Sequence, residues 1–302
     1  MEMKWMSSSR PRENDPIAPY RRRLLGLAYR MLGSRSDAED VVQDAYLRFV
    51  DADDVHNAEA FLVTIVTRLC LDRLKSAKAQ REIYVGPWLP EPVFDADGLS
   101  AEAATELADD LSFALLLALD RLSPQERAAF LLHDVFDVPF AEVAAMIGRS
   151  EPACRQLATR ARRAVRNERR PPAAAPDNHA DLLKAFLEAV ASGDLSRLTG
   201  LLRDDAIALT DGGGRKAAAL NPIQGADKVA RLFVTLATKA KDAGHDIHIE
   251  PATINGSVGA LLYLDGELDH TISISVDGEK IAAIYLVRNP DKLRHAAGAV
   301  GH

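Results

Sequence analysis

The sequence predicts a multidomain protein with two all-α helical domains, the second containing a helix-turn-helix, followed by an α+β domain. Three observations indicate this architecture. Helical spacing of apolar residues dominates up to about residue 170, two proline-containing stretches interrupt it, and strand-like runs with Asp-Gly turns follow. The expected segments are a tail at 1–16, a helical domain at 17–82, an acidic proline-containing linker at 83–104, a second helical domain at 105–170, a linker at 171–178, an α+β domain at 179–293 and a tail at 294–302.

The composition of the 302 residues is that of a globular protein, with 47% hydrophobic and 27% charged residues. Apolar runs are too short to cross a bilayer and no signal-peptide pattern is present, so we expect a cytoplasmic protein. The only cysteines, Cys70 and Cys154, lie in helical stretches and are expected to be buried. A disulfide framework is therefore excluded, and we expect neither a metal site nor a cofactor.

Three helices are expected in the first domain. The first begins near Ile17 and ends at Gly33, which suits a C-cap. Ser36, followed three residues later by Glu39, is typical of a capping box that starts the second helix. The third helix runs from Asn57 to about Gln80. Its apolar surface is interrupted by one narrow stripe suited to phosphate or single-strand contact, for which the alternative is a solvated face; the stripe consists of Thr64, Thr67, Arg68, Lys75 and Lys78.

The second domain follows a linker that contains three prolines and several acidic residues. Ser123, Pro124 and Glu126 predict a capping box with proline in the first helical turn. A short helix over 140–147, a turn at Gly148 and a long helix to about Asn167 then complete a helix-turn-helix.

The long helix carries concentrated positive charge, although the net charge of the whole chain is −7. From Arg149 to Arg170 there are eight arginines against two glutamates, a local charge of +6. At 100° per residue, small and apolar side chains occupy one arc and polar ones the other. The polar arc predicts contacts with base edges and phosphates in the DNA major groove, the alternative being a solvated arginine face; the predicted contacts are Arg155, Gln156, Thr159, Arg160 and Arg163.

The α+β domain is expected to begin with a helix near 181–191. Asp-Gly pairs at 265/266 and 277/278 favour tight hairpin turns between strands. The predicted strands are 206–210, 247–254, 259–264, 270–276 and 281–287.

Two sequence stretches carry a resemblance to a known family. The run from Asp37 to Phe49, DAEDVVQDAYLRF, resembles the polymerase-binding helix of extracytoplasmic-function sigma factors, and LSPQER at 122–127 resembles the start of their −35-reading domain. The resemblance implies core RNA polymerase (clamp and flap) and promoter DNA as partners. It also implies that the 50–57 loop and third helix open −10 DNA, that residues 151–166 read the −35 duplex, and that the clamp is bound by Asp37, Glu39, Asp40, Gln43, Asp44 and Leu47.

Three pentapeptides narrow this resemblance to sigma factors with a fused SnoaL-like domain, a cone-shaped α+β fold of the nuclear-transport-factor-2 (NTF2) type. The resemblance implies that this domain tunes transcription initiation in cis. We expect that Trp88, Pro90 and Pro92 dock beside the glycine turn at 212–214, which needs backbone freedom; the alternative is local packing of the tryptophan. The pentapeptides are Trp88-Leu89-Pro90-Glu91-Pro92, Asp211-Gly212-Gly213-Gly214-Arg215 and Asn289-Pro290-Asp291-Lys292-Leu293.

Other functions remain as alternatives. SnoaL-like folds include enzymes, but the spacing of the candidate acid/base residues does not demand catalysis, and we expect no enzymatic activity. His245 and His248 fall on opposite faces of a predicted strand, which disfavours a metal pair. A small-molecule ligand in the cone and a helix-turn-helix regulator that acts without polymerase are further alternatives. The candidate acid/base residues are Asp211, His248, Asp269 and His270.

Overall fold

The structure, a computed structural model, describes residues 16–82, 84–94, 111–168 and 176–294. The predicted tail at 1–16 lies outside these residues except for Pro16, as do parts of both linkers and the tail after Arg294. Within the described residues, no helix is long and apolar enough to cross a membrane.

Three helices form the first part of the chain: α1 (Ala18–Leu32), α2 (Arg35–Val50) and α3 (Ala58–Glu82). Gly33 ends α1 in the left-handed conformation (φ 70°), as predicted. The capping box predicted at Ser36 and Glu39 is wrong. Ser34 is the N-cap and accepts a hydrogen bond from the Asp37 N–H (3.2 Å), while Glu39 pairs with Arg35 (3.0 Å).

Four helices follow: α4 (Phe113–Asp120), α5 (Pro124–Phe130), α6 (Phe140–Ile147) and α7 (Glu151–Glu168). The predicted capping box at Ser123 and Glu126 is confirmed. Helix α5 continues into a π-helical turn at Leu131–Val135. Gly148, at φ 68°, turns the chain between α6 and α7, which form the predicted helix-turn-helix.

The two helical domains share one hydrophobic core, which includes buried residues from all seven helices. Two arginines also join the two helical domains, because each donates a hydrogen bond to a backbone carbonyl of the other domain. Arg127 of α5 is buried, donates to the carbonyl of Met31 at the end of α1, and pairs with Asp120 (3.0 Å). Arg23 of α1 donates to the carbonyl of Phe136. The −10 and −35 candidate elements are therefore held against each other.

The C-terminal domain begins with α8 (Pro176–Ser192) and α9 (Leu195–Leu201). Strand β1 (Leu202–Asp211) is followed by β2 (Ile223–Gln224) and α10 (Ala226–Asp242). Strands β3 (Ile247–Ile254), β4 (Ser257–Leu264), β5 (Glu267–Asp277) and β6 (Lys280–Val287) complete it. The five predicted strands are present, with ends that differ by a few residues, whereas α9, β2 and α10 were not predicted.

The sheet has the order β2-β1-β6-β5-β4-β3, in which only β1 and β6 are parallel. One face packs against α8–α10, where the rings of Phe186 and Phe233 meet edge to face (5.1 Å). The other face is covered by the linker and α4. There Phe113 stacks on Tyr285 (5.3 Å) beside the buried Leu89. Both faces of the central strands are thus covered, the second by the linker and α4, while most of the edge strand β3 is exposed.

Candidate functional site

The surface of α7 that carries the five predicted DNA contacts, which we call the recognition face, is exposed. All five predicted base and phosphate contacts, Arg155 to Arg163, point to solvent, while Cys154, Ala158 and Ala161 are fully buried on the opposite side. Neighbouring groups orient two of the arginines. Arg155 lies over the ring of Phe140 (4.8 Å), and Arg160 pairs with Glu126 (2.8 Å). Exposed contacts of this kind contribute little to stability, so both guanidinium groups can exchange them for contacts with an anionic partner.

The stripe on α3 is partly covered. Thr67 is fully buried, so the prediction that it belongs to an exposed stripe is wrong for this conformation. Arg68 donates to the carbonyls of Ala145 and Met146 at the end of α6 (3.3 Å each), because the helix-turn-helix packs beside this part of α3. Thr64 bonds the carbonyl of Ala60, and Lys75 pairs with Asp72. The side chain of Lys78 lies outside the described residues.

The acidic face of α2, defined by the six predicted clamp contacts, is on the surface. Its members are exposed apart from Glu39, which is half-buried. Arg73 of α3, which was not predicted, lies 3.2 Å from Asp37 and 3.7 Å from both Asp40 and Asp44. Leu47 is 53% exposed beside this acidic row. A row of carboxylates beside an exposed apolar side chain is complementary to a basic protein surface.

The three pentapeptides meet at Asp211, which is fully buried. Its carboxylate accepts hydrogen bonds from the Tyr84 hydroxyl (2.7 Å) and the Leu89 N–H (2.9 Å), and it pairs with Lys292 (2.7 Å). The Lys292 ammonium also donates to the Leu89 carbonyl and lies 4.4 Å from the Trp88 ring centroid. We call this group of contacts the Asp211 lock.

The glycine turn allows the lock to close. Gly213 and Gly214 have φ values of 60° and 70°, which disfavour residues with a Cβ. A Cβ at Gly213 would clash with the side chain of Asn289, and one at Gly214 would lie 3.3 Å from Val85. Linker residue Val85, the turn and the 289–293 segment are thus in direct contact.

Tyr84 is a member of the lock that sequence reasoning missed. Burial raises the pKa of its hydroxyl above the usual value, and the bond to Asp211 raises it further. The hydroxyl therefore stays protonated and donates to Asp211, while it accepts from the Asn289 amide (2.9 Å). The only local signal was an aromatic residue near the linker prolines.

Glu91 ties the linker to the first helical domain with all its polar groups. Its N–H donates to the Gly33 carbonyl (2.8 Å), and its carbonyl accepts from the Tyr29 hydroxyl (2.7 Å). Its carboxylate accepts from the Arg35 N–H (2.9 Å) and the Ser34 hydroxyl (3.1 Å) at the start of α2. Glu91 thus caps the helix that carries the acidic face.

The candidate acid/base residues are separated by structural roles. Asp211 belongs to the lock, and His248 bonds Glu250 on the surface (3.0 Å). Burial opposes ionisation of Asp269, but bonds from His270 and Lys216 and the charge of Arg288 outweigh it, so the pKa of Asp269 lies well below its usual value. Among the described residues, no group of three or more His, Cys, Asp or Glu side chains could hold a metal ion.

Comparison with known proteins identifies the chain. Two sequence families match its helical part: Sigma-70 region 2 at residues 17–80 and Sigma-70, region 4 at residues 112–165. Over 282 residues the chain is 40% identical to the ECF RNA polymerase sigma factor SigJ of Mycobacterium tuberculosis, and the match covers 90% of each protein. The chain belongs to the ECF RNA polymerase sigma factors.

The likeness extends through the C-terminal domain of this sigma factor. The protein named "Probable ECF RNA polymerase sigma factor SigI" of the same organism is 32% identical over 297 residues, 93% of this chain and 96% of that protein. The crystal structure of M. tuberculosis SigJ matches with a TM-score of 0.72 at 37% identity, covering 90% of this chain and 95% of that chain. The predicted fold class, two helical sigma domains plus an α+β SnoaL-like domain, is confirmed. Promoter-directed transcription initiation with core RNA polymerase is therefore the function of this sigma factor.

Proposed function

We propose that this sigma factor binds the polymerase clamp through the acidic face of α2, reads −35 DNA with the recognition face of α7, and is restrained in cis by its SnoaL-like domain. The domain acts as a restraint rather than as a catalyst. The observation that carries this proposal is the Asp211 lock, because it joins the linker between the two promoter-reading domains to two segments of the SnoaL-like domain, 211–215 and 289–293.

The restraint acts on the −10-reading element. Arg68 is held by carbonyls of α6, so it reaches DNA only after the helix-turn-helix domain moves away from α3. Movement of that kind draws α4, whose Phe113 stacks on Tyr285 of the sheet (5.3 Å), away from linker residues 84–94, which are bound between the first domain and the sheet. A lock on the linker therefore opposes −10 contact, while the acidic face and the recognition face remain exposed.

The Asp211 lock is unsuited to acid/base catalysis. Its carboxylate is buried and fully occupied by an ammonium, a hydroxyl and two backbone N–H groups. A buried carboxylate whose oxygens already accept four donors has no free face for a substrate.

Run-off transcription with purified core polymerase on the promoter upstream of this gene tests the proposal. We compare the wild-type chain with Asp211→Asn, which removes the charge that binds Lys292 but retains the shape of the side chain. Asp204→Asn, an exposed position on the same strand, is the matched control. Asp211→Asn should give more transcript than wild type at limiting sigma factor, and the control should not.

Equal transcript from Asp211→Asn and wild type, with both chains bound to core polymerase, would show that the lock does not restrain initiation. No binding to core polymerase by wild type would instead favour a helix-turn-helix regulator that acts alone. Affinity for promoter duplex without polymerase separates that case, since an independent regulator must bind its operator specifically and tightly.

A further inference from the structure

The turn between β3 and β4 has one buried residue, unlike an ordinary hairpin tip, although its second residue is exposed. Asn255 and Gly256 form it with φ values of 53° and 77°. Asn255 is only 2% exposed, whereas Asp265, at the same φ of 53° in the next hairpin, lies in solvent. The β3–β4 tip therefore has a partner within the chain.

The partners of Asn255 come from three separate parts of the chain. Its N–H donates to the Val93 carbonyl (2.7 Å), and its Oδ1 accepts from the Val93 N–H (3.1 Å). Its Nδ2 donates to the Tyr29 hydroxyl (2.7 Å) and to the Leu111 carbonyl (2.9 Å). One side chain thus joins α1 of the first helical domain, the linker, and the residue that leads into the second helical domain.

The chemistry of this junction selects asparagine. The carboxamide supplies one acceptor and two donors in a plane, and each has a partner here. Aspartate has no N–H to donate to Leu111, and most residues disfavour the positive φ that asparagine tolerates. Burial raises the pKa of the Tyr29 hydroxyl, so it remains protonated, accepts from Asn255 and donates to Glu91.

We propose that Asn255 is a second restraint, which fixes the distance between the two promoter-reading domains independently of the Asp211 lock. This inference rests on the proposed function, because it assigns a further residue to the same regulation in cis. The two restraints hold opposite ends of one short stretch, Leu89 by Asp211 and Val93 by Asn255, with Glu91 bound to the first helical domain between them. Opening the sigma factor requires release at both points.

The test measures the distance between the helical domains in the full chain by double electron–electron resonance. Spin labels are placed at the exposed positions Asp53 and Asn167, and the native cysteines are buried. Asn255→Gly keeps the positive φ and removes the side-chain bonds, and Asp265→Gly is the matched control at an exposed turn. Asn255→Gly should raise the ratio of open to closed molecules about tenfold or more, equivalent to about 1.4 kcal/mol or more, and Asp265→Gly should leave it unchanged.

Tyr29→Phe is a milder variant that removes only one hydroxyl. A double-mutant cycle of Tyr29→Phe with Asn255→Gly measures the coupling between the two side chains, so the test stays valid if either single variant lowers the stability of the chain. Non-additive opening is expected, because the two side chains bond each other. Additive effects would overturn the direct role of this pair.

The Asp211→Asn variant separates the two proposals. Opening by Asp211→Asn but not by Asn255→Gly would overturn the second restraint and leave the proposed function intact. No opening by either variant, together with unchanged transcription, would overturn both. Opening by both single variants, with a larger effect in the double variant, is the expected result.

Discussion

The capping of α2 by Glu91 leads to a quantitative prediction about the helix that carries the acidic face. The carboxylate oxygen Oε2 receives the Arg35 N–H (2.9 Å), the Ser34 hydroxyl (3.1 Å) and the Ser36 hydroxyl (3.3 Å). Glu91→Gln retains an oxygen at this place and nearly the same shape. It removes the negative charge that faces the positive end of the helix.

The expected loss follows from charge and burial. A charge at a helix N-terminus contributes about 0.3–1 kcal/mol when exposed and up to about 2 kcal/mol when partly buried. Glu91 is 3% exposed, which favours the upper part of this range. Burying a charge also has a cost that the neutral amide avoids, so the net effect is smaller than the sum of the bonds. We expect Glu91→Gln to lower the free energy of unfolding by about 1–2 kcal/mol.

Urea denaturation of the full chain followed by circular dichroism measures this loss, and amide hydrogen exchange locates it. The Arg35 N–H should exchange faster in Glu91→Gln, because its acceptor is weaker. Glu267→Gln, at an exposed glutamate of β5, is the control and should change stability by less than about 0.5 kcal/mol. If Glu91→Gln matched this control in stability and left exchange of the Arg35 N–H unchanged, the capping argument would be refuted.

Three further predictions concern DNA reading, pH dependence and thiol reactivity. Arg160→Ala should weaken binding of the holoenzyme to the −35 duplex and reduce the salt dependence of log K by about one phosphate contact; a salt titration against Arg197→Ala, an exposed arginine of α9, checks this. The depressed pKa of Asp269 means that its stabilising contribution is complete above about pH 5 and is lost as the pH falls further. The stability difference between wild type and Asp269→Asn, measured by denaturation, should therefore shrink between about pH 5 and about pH 2; a constant difference would contradict it. Burial raises the pKa of both Cys70 and Cys154, so an alkylating reagent at neutral pH should modify them in urea but not in the native chain, as mass spectrometry can verify.

Local signals predicted the elements that carry them. The capping box before α5 and the Asp-Gly turns of the sheet lie where expected. Helix α10 was missed because its N-cap position is Gly225, with no side-chain cap bond to mark the start. Helix α4, with the sequence FALLLALD, is almost wholly apolar, so periodicity could not distinguish it from a strand. At α2, Ser34 accepts from the Asp37 N–H and the Glu91 carboxylate accepts from the Arg35 N–H, a contact from the linker that the local sequence does not reveal.

Contacts between distant parts of the chain could not be predicted from local patterns. A helical projection placed Thr67 with the polar stripe, but tertiary packing buries it. Asn255-Gly256 indicates a hairpin turn and nothing more, since its partners Tyr29, Val93 and Leu111 are far away in sequence. The three pentapeptides of the Asp211 lock were predicted to act together from their resemblance to a known family, because no local pattern joins Leu89, Asp211 and Lys292.

The arrangement of exposed and covered faces implies an order of events under the proposed restraint. The acidic face and the recognition face are exposed in the closed form, so encounter with polymerase and with −35 duplex needs no opening. Contact of Arg68 with −10 DNA needs opening, because in the closed form the Arg68 guanidinium donates to the carbonyls of Ala145 and Met146. A ligand shifts a conformational equilibrium only by its difference in affinity for the two forms. Polymerase that separates the two helical domains therefore binds the open form more tightly. Its apparent affinity is the affinity for the open form multiplied by the fraction of molecules that are open, and the restraints lower that fraction. Weakening either restraint should increase that affinity without any change in the acidic face itself.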